Sequence, residues 1–219
     1  MQISIEVPGV KLGVVEAEGL RVELVVPELA REMDAACERL RAQLTVEQVA
    51  ELDSIRDVRA MFRGWGVDPS KYRPSAEALL RRVAQGKGLY RLSSVVDIIN
   101  LCSVETGWPY GCYDAARVQP PVVMRLGRAG ETYERIGRAM WHLEGRPVLA
   151  DTEGPFGSPT SDSTRTMITE ATTALVTTIF APIRSVDDAV QRAMEQHAAR
   201  LERHCGARIT REEILRPKQ

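Results

Sequence analysis

The sequence predicts an α+β fold, and three observations carry that prediction. Helical periodicities cluster in the first half and again near the C-terminus. Short runs of strand character fill the stretch between them. The βαβ alternation that a doubly wound parallel sheet requires is absent. At 219 residues, 44% apolar and 27% charged, the chain has the balance of a soluble globular protein with a sizeable core. The expected organisation is a single domain over residues 1–219.

The elements follow in order. Residues 1–7 alternate apolar and polar as a strand, and residues 11–26 read as two more short strands broken at Glu18-Gly19. Residues 27–44 are helical, because Leu29, Met33, Cys37, Leu40 and Leu44 fall on one stripe with charges opposite. Thr45 and Gln48 form a capping box that predicts a second helix running to about Arg63, broken by Gly64-Trp65-Gly66 and Asp68-Pro69. Ser75 is placed to cap a helix over residues 76–84, and Ser93 or Ser94 one over 95–106, ended by Gly107 and Pro109. After Gln119-Pro120-Pro121, short strands are predicted at 122–126, 141–143, 147–150, 166–169 and 174–181. Ser185 with Asp187-Asp188 opens a last helix, in which Val190, Met194, His197, Leu201 and His204 keep helical spacing until Gly206.

Several function classes lack their signatures. No apolar run approaches the ~20 residues of a membrane span, and MQISIEVPG has neither the basic flank nor the apolar stretch of an export signal, so a cytoplasmic location is expected. Cys37, Cys102, Cys112 and Cys205 have no metal-ligand spacing and read as small buried hydrophobes; with three scattered histidines, neither a metal nor a cofactor is expected. There is no GxSxG elbow, no phosphate-binding GxxxxGK[ST] loop and no HExxH. Ser158, Ser161 and Ser163 are nucleophiles only in principle, since nothing in the sequence orients His142 towards them.

The net charge of −1 argues against nonspecific nucleic-acid binding, but the distribution is uneven. Residues 16–57 hold eleven acids against five arginines. Residues 59–91 hold Arg59, Arg63, Lys71, Arg73, Arg81, Arg82, Lys87 and Arg91 against Asp68 and Glu77. Such a band suits a phosphate-bearing partner; pairing with the acidic helices is the alternative use of the same charges.

The most polar stretch is DTEGPFGSPTSDSTRT, residues 151–166, with three carboxylates, seven hydroxyls, one arginine and two glycines. Pro155, Gly157 and Pro159 force irregular backbone, while Gly154 and Gly157 let a ligand approach the main chain. Thr160, Ser161, Ser163, Thr164 and Arg165 supply donors, and Asp151, Glu153 and Asp162 acceptors, for a ligand with an ammonium, a carboxylate and hydroxyls. The same composition also suits a solvated loop that caps its own turns.

Four segments taken in order, RPSAEALLRR (73–82), LSSVVDIINLCSVETGWPYGCYD (92–114), GRAGETY (127–133) and VLADTEGPFGSPTSDSTRTMITE (148–170), resemble the B3/B4 domain of the phenylalanyl-tRNA synthetase β subunit, above all its free-standing versions. The resemblance covers about residues 62–182, with the N-terminal strands and helices and the C-terminal helix expected to pack on that core. It implies a layered β-sandwich flanked by helices. It also implies an editing-type activity, hydrolysis of the ester of a mischarged aminoacyl-tRNA, with tRNA as partner or an amino-acid-like molecule as ligand. By that resemblance Glu170 is the pocket glutamate and, with Asp162, a candidate catalytic residue. Gly154, Gly157, Ser158, Thr160, Ser161, Ser163, Arg165, Asn100 and Gly111 are candidates for substrate binding. Arg63, Lys71, Arg73, Arg81, Arg82, Lys87 and Arg91 are candidates for RNA binding. Two departures stand out: the family's PLHAFD-like segment carries a histidine where this chain has Gly111, and its later threonine- and alanine-bearing pocket segment has no counterpart after Pro182. Nothing resembles an aminoacylation core, so the chain is not expected to charge tRNA. A non-catalytic RNA- or amino-acid-binding module is the alternative reading.

Overall fold

The computed structural model describes residues 1–137 and 139–217. Among the described residues, ten strands and five α-helices build the predicted α+β fold, around two four-stranded sheets. In the first sheet, β1 (Ile3–Ile5) runs parallel to β4 (Val122–Leu126), followed by antiparallel β7 (Pro147–Asp151) and β8 (Gly154–Gly157). The second sheet is antiparallel throughout, in the order β10 (Arg208–Leu215), β2 (Val10–Glu18), β9 (Ala174–Pro182), β3 (Tyr110–Asp114). A small hairpin of β5 (Thr132–Glu134) and β6 (Met140–His142) holds its own cluster of Tyr133, Trp141, Leu143 and Val148.

Strands β2 and β9 are buried along nearly their whole length, because both faces of their sheet are covered. That is why their sequences read as almost continuous apolar runs rather than clean alternation. One face receives α5 (Asp187–Cys205), which packs on β2, β9 and β10. The other faces the first sheet, where Tyr113 of β3 meets Phe156 of β8 edge to face at 4.8 Å and 86°. Helices α1 (Pro27–Gln43), α3 (Ser75–Ala84) and α4 (Ser94–Thr106) complete the helical layer, with α4 resting on α5, α3, α1 and β3. The stripe expected on α5 is buried at Val190, Met194, His197, Leu201 and His204. Burial pushes the His197 imidazole down to about 3, which keeps it neutral, and its Nε2 lies 2.9 Å from Thr177 Oγ1.

Several local expectations are corrected. The Thr45–Gln48 capping box forms, with bonds of 2.9 and 3.4 Å, but it opens a 3-10 turn at Gln48–Glu51. Leu52 (φ −59°, ψ 134°) then breaks the chain before α2 (Asp53–Gly64) begins. Ser75 is the first residue of α3 rather than its cap; Pro74 takes that place, and the Ser75 amide donates to Pro159 O at 3.1 Å. The second strand expected before Val26 does not form. Its backbone hooks instead onto helix ends and loops, through Arg21 N to Cys205 O and Ser94 N to Glu23 O. Residues 166–169 are not a strand either: a 3-10 turn at Thr164–Thr166 is capped by Ser163 Oγ, and the Thr169 amide donates to Thr172 Oγ1. Short hydroxyl side chains there take up the amides of Arg165 and Thr169 at the two ends of the stretch.

Candidate functional site

The two sheets leave strands β3 and β8 as edges, and residues 158–170 fold back between them beside α4. This arrangement encloses a cleft of about 510 Å³. Val22, Leu24, Val96, Ile99, Met167 and Ile168 give it an apolar wall, Tyr110 and Cys112 of β3 contribute from the sheet edge, and Ser75, Ser93, Asn100, Asp162, Thr169 and Glu170 add polar groups. Among the described residues no arginine or lysine lines it. Leu24 and Ile136, 55% and 47% exposed, form an apolar rim.

The hydroxyl-rich segment folds inward: Ser158 and Ser163 are buried. Its serines serve its own shape. Ser158 Oγ accepts from the amides of Thr160 (3.2 Å) and Ser161 (3.0 Å) and donates to Ser161 O at 2.8 Å. Tyr133 Oη pins Ser161 O at 2.5 Å, and the Ser163 amide donates to Phe156 O. The side chain this turn presents to the cleft is Asp162. Its Oδ1 accepts from Tyr113 Oη (2.9 Å) and the Ser158 amide (3.2 Å), while Oδ2 has no partner among the described residues. Burial pushes this carboxyl up to about 7, against the lowering effect of those two donors.

A second concavity, a groove of about 540 Å³, adjoins the first. Arg73, Arg81, Arg82 and Lys87 line it together with Tyr90 and Thr160, and no acidic residue does. Ser75, Leu92, Val96 and Asn100 line both concavities, so groove and cleft are continuous. The groove is organised from beneath by Glu77, which is 0% exposed. Glu77 accepts from Arg59 at 2.8 and 3.1 Å and from Arg81 at 3.0 Å, with Arg73 at 3.5 Å. Arg82 stacks on Tyr90 at 4.0 Å.

The sequence-derived candidates divide accordingly. Asp162, Glu170 and Asn100 line the cleft; Thr160 lines the groove. Ser158, Ser161 and Ser163 act within the turn, as the capping alternative expected. Arg165 is not part of the cleft wall: its guanidinium braces the β7–β8 hairpin through Asp151 (2.8 Å), Glu153 (3.0 Å) and the carbonyl of Gly154 (3.2 Å), and Gly154 stays outside with it. Gly157 and Gly111 do not face the cleft either. A Cβ on Gly111 would lie 2.0 Å from Tyr113 Oη, and one on Gly157 2.2 Å from the same atom, so both glycines exist to admit that ring. Glu170 sits in a turn, not at the end of a strand. Of the basic band, Arg73, Arg81, Arg82 and Lys87 reach the groove. Arg91 is engaged by Asp34 and Ala30 O, Lys71 lies over Tyr72, and Arg63 closes α2 away from the groove lining.

Tyr113 is the residue that sequence reasoning missed. The available signal was GCY, since a glycine two positions before a tyrosine on one strand face leaves room for the larger side chain. Among the described residues no helix is long and apolar enough to cross a membrane, and no cluster of three or more His, Cys, Asp or Glu is disposed to hold a metal ion.

The fold is a mixed α+β sandwich whose edge cleft carries two carboxylates and opens into a basic groove. The profile of the B3/4 domain matches residues 57–214, and the chain belongs to the B3/4 domain family. Curated relatives include the phenylalanine–tRNA ligase beta subunit of Chromobacterium violaceum, 28% identical over 61% of this chain and 18% of its own length. That of Pasteurella multocida is 29% identical over 56% and 18%, and that of Paramagnetospirillum magneticum 35% identical over 45% and 13%. The chain thus spans less than a fifth of these relatives. A solved N-terminal fragment of the phenylalanyl-tRNA synthetase beta subunit from Pyrococcus horikoshii superposes with a TM-score of 0.49 at 14% identity, covering 95% of this chain and 50% of that one.

Proposed function

We propose that this B3/4-family chain is a tRNA-related, editing-type hydrolase that removes the amino acid from a mischarged aminoacyl-tRNA supplied in trans. The observation that carries the reading is the continuity of two unlike concavities. One is an apolar cleft with Asp162 and Glu170, fit for an amino acid with a free ammonium; the other is an acid-free basic groove, fit for phosphates. An aminoacyl ester on a nucleic-acid end carries both groups in that order. The relatives' printed function, ligation of phenylalanine to tRNA, supports the same substrate class.

In this reading Glu170, exposed where it lines the cleft, pairs with the ammonium. Asp162 takes the proton of a water that attacks the ester carbonyl; a C–OH bond forms, the C–O bond to the ribose breaks, and the ribose oxygen leaves with a proton. A base whose pKa lies near 7 is matched to that work at neutral pH. Arg73, Arg81, Arg82 and Lys87 hold backbone phosphates, and binding therefore weakens with salt. The second reading, an amino-acid-binding module without catalysis, is favoured by the lack of any imidazole at Gly111 and by the largely apolar cleft wall. Purified protein incubated with a panel of mischarged tRNAs tests the first: hydrolysis above buffer that Glu170→Ala and Asp162→Asn abolish supports it. No hydrolysis of any member, with a free amino acid raising the melting temperature, replaces it with the second.

A further inference from the structure

Strand β3 places Gly111 and Tyr113 on the same face, two residues apart. The Tyr113 ring leans back across Gly111, where an added Cβ would stand 2.0 Å from its hydroxyl. It also lies against Gly157 of β8, where the distance would be 2.2 Å, with Phe156 on its edge. The ring thus fills a slot that two glycines leave open, and it is 0% exposed. The slot ends at the cleft wall, because the hydroxyl donates to Asp162 Oδ1 at 2.9 Å.

We infer that Tyr113 is the positioning residue of the cleft, its hydroxyl standing in the space that a side chain at position 111 would occupy and aiming Asp162 at the ligand. This rests on reading the cleft as the reactive site. With Tyr113 and the Ser158 amide both donating to Oδ1, that oxygen is committed as an acceptor. The remaining oxygen, Oδ2, is where a proton is taken up or released, and it is the one without a protein partner. Tyr113 never touches the ligand; it decides which carboxyl oxygen does. A side chain at position 111 and a hydroxyl at position 113 cannot share the slot, so either arrangement excludes the other.

Tyr113→Phe tests this in the full chain, since the ring is kept and the slot stays filled. Two readouts are taken: the carboxyl titration of Asp162 by 13C NMR, and the pH profile of deacylation. The titratable groups around Asp162 are Tyr113, Tyr133, Cys112 and, in the same cleft, Tyr110 and Glu170, with no lysine or arginine in the lining among the described residues. Losing the donor removes an interaction made chiefly with the ionised form. The titration midpoint therefore moves up by about one pH unit, and deacylation at pH 6 falls about tenfold while recovering at pH 9. Gly111→Ala, which displaces the hydroxyl, shifts the midpoint the same way, and the two substitutions combined shift it no further. An unchanged midpoint in Tyr113→Phe overturns the inference. Should the wild-type chain hydrolyse nothing, the hydrolase reading fails, and the NMR titration still decides whether Tyr113 governs Asp162.

Discussion

Asp162→Asn replaces one oxygen of the carboxyl by an amide nitrogen and keeps the acceptor that Tyr113 and the Ser158 amide both use. It removes only the titration. Because burial raises the folded-state value to about 7 from an ordinary 3.8, the native state holds a proton that the unfolded chain has already released. Stability from this group is therefore full below pH 4 and is lost as pH rises towards and through 7. Integrating the linkage between pH 5 and pH 8, with those two values, gives a loss of about 2–3 kcal/mol. Urea denaturation of both proteins at the two pH values isolates it, since every other titrating group is common to both. The wild type is expected to lose about 2–3 kcal/mol more than Asp162→Asn over that interval. Parallel pH dependence in the two proteins would refute the reasoning, showing that the carboxyl is hydrated and titrates as an ordinary aspartate.

Gly111→Ala forces a methyl group into the Tyr113 hydroxyl, and overpacking of this kind should cost about 1–3 kcal/mol in urea denaturation. Glu77→Gln leaves three partly exposed guanidinium groups with a neutral partner beneath the groove, and weakening these charged hydrogen bonds should cost about 1–3 kcal/mol, read as a fall in melting temperature. If the groove binds RNA, Lys87→Gln and Arg82→Gln should each flatten the slope of log affinity against log salt by about 0.7 for a single-stranded ligand, and unchanged slopes would remove those two side chains from the contact. In the folded protein Cys102 should resist thiol reagents at pH 8, because burial pushes it up to about 11; fast labelling would show that the core opens.

The fold was legible where one periodicity ruled a whole element. The stripe of α5 and the apolar run of β9 could be read directly, since burial there chooses the same residues that periodicity marks; in α1 it takes Leu29, Met33 and Ala36 and leaves Cys37, Leu40 and Leu44 half-buried. Strand β10 was not: as an edge strand its RITREEIL sequence is half polar, and it pairs with β2 far away in sequence. The site divided on similar lines. Asp162 stood out as a carboxylate in an irregular segment and Glu170 through the family resemblance, and both line the cleft. The apolar wall did not stand out, because Val22, Ile99 and Ile168 look like any core residues until the chain gathers them. Polarity also misled: the hydroxyls and Arg165 drew attention as ligand donors, whereas short-range backbone demand and the Asp151 and Glu153 carboxylates had already claimed them.

The turn that walls the cleft is tied by Ser158, Tyr133 and main-chain atoms, none of which forms the apolar surface opposite. Architecture and selectivity are thus written in separate letters. If the cleft holds a ligand as proposed, exchanges among Val96, Ile99, Met167 and Ile168 would recast its shape without touching the bonds that fasten the loop.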